Sequence, residues 1–394
     1  MKSKAIITLL LVNLIYTSVF SQICNPETEH FENQLCWIKN YIRNQYSIND
    51  NTTDKFKDVF FGTDNYYVSG NNVPWGGDYF SWTYGGLCTR LNSYSSEESF
   101  PSIESLNWDK IKEMTKEEIA RLSPAEKMDI YLNNKDFKIT KRELTARGPL
   151  TPDIQSWEGF CNGVRAAGAL TKEPIKNITV KNADNLEIEF TAADLKILAG
   201  ASYFYLTPNG YGRVGSNNSI KPNPGAFDLI LRLILAENKK VFFFDDNSSN
   251  EIWNHSALGF ERKVLEKKRK VKGSDNPPSN STHIITFTTT FYHMGEISTH
   301  IMNGATKPRI ESKNSCCVEE NNYVYTLFLD KKDNIIDGFW LHNFYPDNIW
   351  FANGKGDDSN HSSGIDNNTG KEYRGNANIP FDVLISLIEK SSQN

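Results

Sequence analysis

The residues best suited to chemistry lie in Trp157-Glu158-Gly159-Phe160-Cys161-Asn162-Gly163. A cysteine between glycines stands at the mouth of a run of small residues, Val164-Arg165-Ala166-Ala167-Gly168-Ala169-Leu170, that predicts a buried helix. A thiol at a helix N-terminus feels the positive end of the helix dipole, which favours the thiolate. Flanking glycines let a substrate backbone come close. These are the requirements of a thiol acyl-transfer nucleophile. The competing reading is a buried structural cysteine, the commoner fate of a lone thiol. A thiol nucleophile also needs a base and usually a carboxylate to orient that base. The histidines are His30, His255, His283, His293, His300, His342 and His361, and spacing alone does not choose among them.

The chain of 394 residues has a net charge of −5, so nothing in its overall balance points to nucleic acid. Residues 1–21 read as a secretory signal: Lys2 and Lys4, an apolar stretch from Ala5 to Phe20, and a cut near Gln22. An uncleaved membrane anchor is the second reading, but Asn13, Tyr16, Thr17 and Ser18 interrupt the apolar stretch. No later segment is apolar enough to cross a bilayer. The expectation is a secreted protein with no stable membrane insertion, long enough for one large core or two to three domains.

All six cysteines follow the signal: Cys24, Cys36, Cys88, Cys161, Cys316 and Cys317. Export makes disulfides plausible. Cys24 and Cys36 are spaced to close a short loop, and one of Cys316 and Cys317 is a candidate to reach Cys88. No spacing among them is a metal motif. Glycan acceptors occur at Asn51, Asn177, Asn217, Asn247, Asn254, Asn280, Asn360 and Asn367, and would make the protein a glycoprotein in a glycosylating host.

The elements that would position Cys161 follow from periodicity and punctuation. Phe31, Leu35, Ile38 and Ile42 predict an N-terminal helix. Glycines among aromatics from Pro74 to Gly86 predict an irregular loop that packs its own rings. Helical segments begin at Asn107, at Ser123-Pro124-Ala125-Glu126 and near Thr140. Ile178 to Phe190 alternates as strands, and Thr191 to Asp194 opens a further helix. Leu229 to Leu235 is an apolar run broken only by Arg232 and fits helix or strand. Val241 to Phe244 and Glu251 to Asn254 read as strands. The basic run Arg262 to Lys272 reads as a solvated strand edge or loop, with a docking patch as the minor reading. Ile284 to Tyr292 and Tyr323 to Leu329 alternate as strands, the latter turning at Asp330 to Asn334 into Ile335 to Trp340. That turn is no calcium loop, because Lys332 and Ile335 sit where a ligand and a glycine belong. Gly354 to Asn378 reads as a loop, and Phe381 to Ile388 as a closing helix.

Several of these stretches, in the same order, resemble the oomycete and bacterial transglutaminase elicitor family of secreted protein-glutamine gamma-glutamyltransferases. They are Pro74 to Tyr79, Leu122 to Asp129, Trp157 to Gly163, Asn223-Pro224-Gly225-Ala226-Phe227, Glu251 to Asn254 with Gly259-Phe260-Glu261, and Tyr323 through Trp340 to Pro346-Asp347. The resemblance implies an α+β fold with a papain-like cysteine core, a helical N-terminal region over 22–150, a nucleophile-bearing core over 151–262 and a β-rich part over 263–394. It implies acyl transfer from protein glutamine to lysine or other amines through a Cys161 thioester. Protein glutamine and lysine side chains would be its partners. Calcium is implied by the resemblance only, and no cofactor is evident.

The chain departs from the family pattern in places. The family commonly has His, its candidate base, after Asn-Pro-Gly-Ala-Phe, where this chain has Asp228, which the resemblance makes a poorer base at that position. Asp245 resembles the family's orienting acid, and His255 and His342 are fallback bases. Val164-Arg165 replaces Trp-Ala, and His255-Ser256-Ala257-Leu258 replaces the Gln-Pro-Val-Arg of the peptide that plants perceive. Two further readings therefore stand: a catalytically impaired binding or elicitor protein, and a secreted cysteine hydrolase acting as protease or deamidase.

Overall fold

The structure is a computed structural model that describes residues 24–25, 28, 30–46, 65–91, 100–204, 213–215, 220–246, 251–298, 301–308, 317–352, 363–365, 372–374 and 376–393. The expected signal peptide, Cys316, His300, His361 and most of the 354–378 loop lie outside the described residues.

Along the chain, α1 (Phe31–Tyr46) precedes β1 (Asn65–Tyr67), and short helices α2 (Trp108–Glu113) and α3 (Lys116–Ala120) lead to α4 (Pro124–Tyr131) and α5 (Lys138–Ala146). The Cys161 helix is α6 (Cys161–Leu170), followed by hairpin β2 (Ile178–Lys181) and β3 (Glu187–Phe190), then α7 (Ala192–Tyr203). Next come β4 (Arg213–Gly215), α8 (Pro224–Leu229) and a π-helical continuation, Ile230–Glu237. Strands β5 (Phe243–Asp245), β6 (Asn254–Lys270), β7 (His283–Met294), β8 (Val318–Leu329), β9 (Ile335–Trp340) and β10 (Asn348–Trp350) complete the main sheet, and α9 (Phe381–Ser391) closes the chain.

The main sheet runs β4-β10-β5-β6-β7-β8-β9, with β1 also paired to β6. Its pairs are antiparallel. The architecture is thus mixed helix and sheet. One apolar cluster runs from Phe31 in α1 through α6 and α7 to Ile388 in α9.

Helix starts are set locally. Ser123 and Thr191 each accept the backbone N–H of the third helical residue, while Glu126 and Asp194 reach back to the cap N–H. The apolar run after Phe227 becomes helical because it is buried on all sides, continuing α8. The basic run lies on β6, where Lys263 to Lys268 are exposed and pair with β7 on one side.

Cys24 and Cys36 are joined. The expected bridge from Cys88 is not made: Cys88 is a free, buried thiol that donates to the Thr140 carbonyl at 3.5 Å. It packs between α4 and α5, where burial and then the Glu143, Glu126 and Asp129 carboxylates push the thiol well up.

Helix α6 is the buried hinge of this arrangement, packed most closely against α7. Its small residues are needed for that approach. A Cβ at Gly163 would overlap the Gly200 carbonyl, and one at Gly168 the Trp75 carbonyl.

Candidate functional site

Cys161 is the first residue of α6 and is 8 % exposed. The Phe160 N–H donates to the Tyr79 carbonyl at 2.5 Å, which holds the helix start against the 74–80 loop. No side chain caps this N-terminus, and the Cys161 N–H is one of the first-turn donors that have no acceptor within the helix. The stretches that carry the family likeness converge here: the Tyr79 ring packs edge-on against Trp253 at 5.3 Å.

Asn254 and Ile252 approach the thiol. Asn254, at the start of β6, places Nδ2 3.5 Å from Sγ, and the Ile252 carbonyl lies 3.8 Å away. Asn254 is fixed from behind, because its Oδ1 accepts the Trp350 indole N–H at 2.7 Å. Arg165, one turn along α6, donates to the Asn254 carbonyl, the Gly77 carbonyl and Glu296. The Val164-Arg165 departure thus has a role: a buried guanidinium ties α6 to the start of β6. Burial pushes the Cys161 thiol up, and the Asn254 contact pulls it back only in part. The drop expected from the helix N-terminus is outweighed by desolvation.

Asp228 sits on α8 and is fully buried. Its carboxylate accepts from Arg262 at 2.5 Å, Arg232 at 2.7 Å and the Tyr325 hydroxyl at 2.9 Å, and it has no contact with Cys161. Burial pushes its carboxyl up, but the Arg262 and Arg232 guanidiniums overcome this and hold it below the usual range.

Asp245 ends β5 directly across from Asn254. One carboxylate oxygen accepts the Trp253 N–H at 3.0 Å, and the other is buried without a partner. Burial, then Asp347 and Asp246, push its carboxyl to about 8 against the Trp253 bond. His255 follows Asn254 on β6, with Nδ1 2.9 Å from the Met294 carbonyl. Its ring lies 4.5 Å from that of His293. Burial holds both imidazoles below their ordinary values, His293 at about 4, so both are neutral at pH 7. His342 is exposed beyond β9 and has no contact with the thiol.

The sequence marks Asn254 as a glycan acceptor and as the end of a family-like stretch, but not as a site residue. It is 7 % exposed and bonded on both amide atoms, so it is closed to a glycan, whereas Asn177 and Asn280 are exposed. The signal for Asn254 was its place in the Trp253-Asn254 stretch. Arg165, Glu296 and Trp350 carried no local signal.

Among the described residues, the one group of three or more His, Cys, Asp or Glu donors drawn together is His255, His293 and Glu319. Two imidazole nitrogens do not fit calcium, which takes six to eight oxygens, so no step is routed through that ion.

Comparison with known proteins agrees with this architecture. A family model for transglutaminase elicitors matches residues 67–369. The chain belongs to the transglutaminase elicitor family. Among solved structures, it shares its fold with the crystal structure of the GP42 transglutaminase from Phytophthora sojae: TM-score 0.61, 15 % identity, 90 % of this chain and 97 % of that one. Comparison with curated protein sequences gives no match. Among the described residues, no helix is long and apolar enough to cross a membrane.

Proposed function

We propose that this chain is a secreted transglutaminase-like acyltransferase with Cys161 as its nucleophile, on a core of papain-like type. The observation that carries this reading is Cys161 itself: a thiol at an uncapped helix start, beside a side-chain N–H donor, within the residues that match the family model. The Cys161 sulfur would attack the carboxamide carbon of a protein glutamine, and ammonia would leave as the thioester forms. A lysine amine would then attack the thioester carbonyl, releasing the thiol and leaving an isopeptide bond. The Cys161 N–H and Asn254 Nδ2 would receive the oxyanion formed in both halves, a role supported by the 3.5 Å approach of Nδ2 to Sγ. Asp245 stands one strand behind Asn254 as the supporting acid.

The weak part of this machinery is the base. Among the described residues no imidazole or carboxylate touches Sγ, and Asp228 is committed to two arginines. That observation favours a second reading, an impaired enzyme that acts by binding. The test is incorporation of a labelled amine into a glutamine-donor protein, measured from pH 7 to 10, for wild type and Cys161→Ser. The proposal expects incorporation that grows with pH in wild type and is absent from the variant. Equal background in both at every pH would leave the binding reading. Release of ammonia with no amine incorporated would indicate a deamidase.

A further inference from the structure

Three adjacent strands bring two imidazoles and a carboxylate to one face of the sheet, and the proposed acyl transfer uses none of them. His293 on β7 and Glu319 on β8 are direct cross-strand partners. His255 on β6 stands two residues before Ala257, which pairs with His293. Residues two apart on a strand share a face, so all three project the same way. One donor atom from each lies within 4.8 Å of the others.

Packing does not account for the group. His293 is 1 % exposed, and neither of its ring nitrogens has a hydrogen bond. Asn321 and the Met294 backbone lie close enough to influence its charge, yet neither completes a bond in geometry. An imidazole buried with both nitrogens unpaired is costly and calls for a partner. His255 is oriented for the same purpose. To donate to the Met294 carbonyl, Nδ1 must carry the proton, which leaves the Nε2 lone pair available. A carbonyl behind the distal N–H is the usual support of a metal-bound histidine. Glu319 leans its carboxylate over Gly295, where any side chain would collide with it. A cavity of about 370 Å³, lined by His293, Glu319, Asp246 and Asn321, opens onto the group.

We propose that His255 Nε2, one ring nitrogen of His293 and the Glu319 carboxylate bind a divalent transition-metal cation of the zinc type, with a further position open to the cavity. Two imidazoles and one carboxylate are a donor set that suits zinc. The cation would clip β6, β7 and β8 together one residue from Asn254, and so steady the side chain that meets the Cys161 thiol.

The test uses the full mature chain without a histidine tag, loaded with zinc and dialysed against metal-free buffer. One zinc per chain is expected by elemental analysis. His293→Ala should lose it, Glu319→Gln should weaken it by tenfold or more in titration calorimetry, and His30→Ala, at an exposed site, should keep it. Glu319 is exposed, so its variant serves if His293→Ala fails to fold. Cobalt loading should give visible d–d bands without a thiolate charge-transfer band. Wild type that retains no zinc, undiminished binding in both ligand variants, or a thiolate band would each overturn the proposal.

Discussion

Cys161 and Asp228 are both buried, and both lie in stretches that carry the family likeness, yet their surroundings are opposite in kind. The thiol meets the Asn254 amide N–H at 3.5 Å and the Ile252 carbonyl at 3.8 Å, neither of them a charged group. The Asp228 carboxylate is bonded to two guanidiniums and a phenol. A group whose bonding capacity is filled by the fold has none left for a substrate, and its removal is a stability event. A group left under-supplied is available for chemistry. The same division runs through the neighbouring motifs. Asn223 to Phe227 packs into the sheet, with the Phe227 ring 5.3 Å from Trp340 and Asn223 Nδ2 on Asp337 at 2.7 Å. Pro74 to Tyr79 and Glu251 to Asn254 instead fold onto the start of α6. Family likeness therefore marks a structural nest and a reactive pocket alike, and only partner geometry separates them.

The largest test of this contrast is Asp228→Ala. Two buried arginines would lose their counter-charge, at a cost of about 3–5 kcal/mol in urea unfolding. Cys161→Ser should cost about 1 kcal/mol or less. Equal costs would erase the distinction.

Asp245 gives the next largest effect. Its unfolded carboxyl titrates near 3.8 and its folded one near 8, so between these values the folded chain holds a proton that the unfolded chain has lost. Stability is full below the lower value, falls as pH rises through the window, and is lost above the upper one. The loss is on the order of a few kcal/mol, and Asp245→Asn should flatten the curve of unfolding free energy between pH 4 and 8.

The smallest effect concerns Asn254→Ala. Without its N–H the buried thiol should ionise less readily, slowing iodoacetamide alkylation of Cys161 at neutral pH by roughly threefold to tenfold. A faster reaction would mean that Asn254 shields the sulfur rather than supporting the thiolate.

What the sequence made legible is what is decided locally. The capping boxes at Ser123 and Thr191, the β2–β3 hairpin, the turn at Asp330 to Asn334 and the Cys24–Cys36 bond all depend on residues close in the chain. Leu229 to Leu235 stayed ambiguous because a segment buried all round shows no periodicity. The role of Arg165 was hidden because Glu296 lies 131 residues away. The His293–Glu319 pairing required the register of β7 on β8, which hydrophobic alternation alone does not supply. For the same reason Asp228 could be read as a base. Nothing near it in sequence announced Tyr325, and only the fold brings Arg262 across from β6.

The most direct measurement is mass spectrometry of the protein incubated with a glutamine-containing peptide and no amine, at mildly alkaline pH. With no imidazole or carboxylate beside Sγ among the described residues, water is activated poorly, so the thioester should persist once formed. The account predicts an adduct of the peptide less ammonia on the fragment bearing Cys161, discharged on adding a lysine analogue. An adduct on Cys88 or Cys317, or amine incorporation that survives in Cys161→Ser, would contradict it.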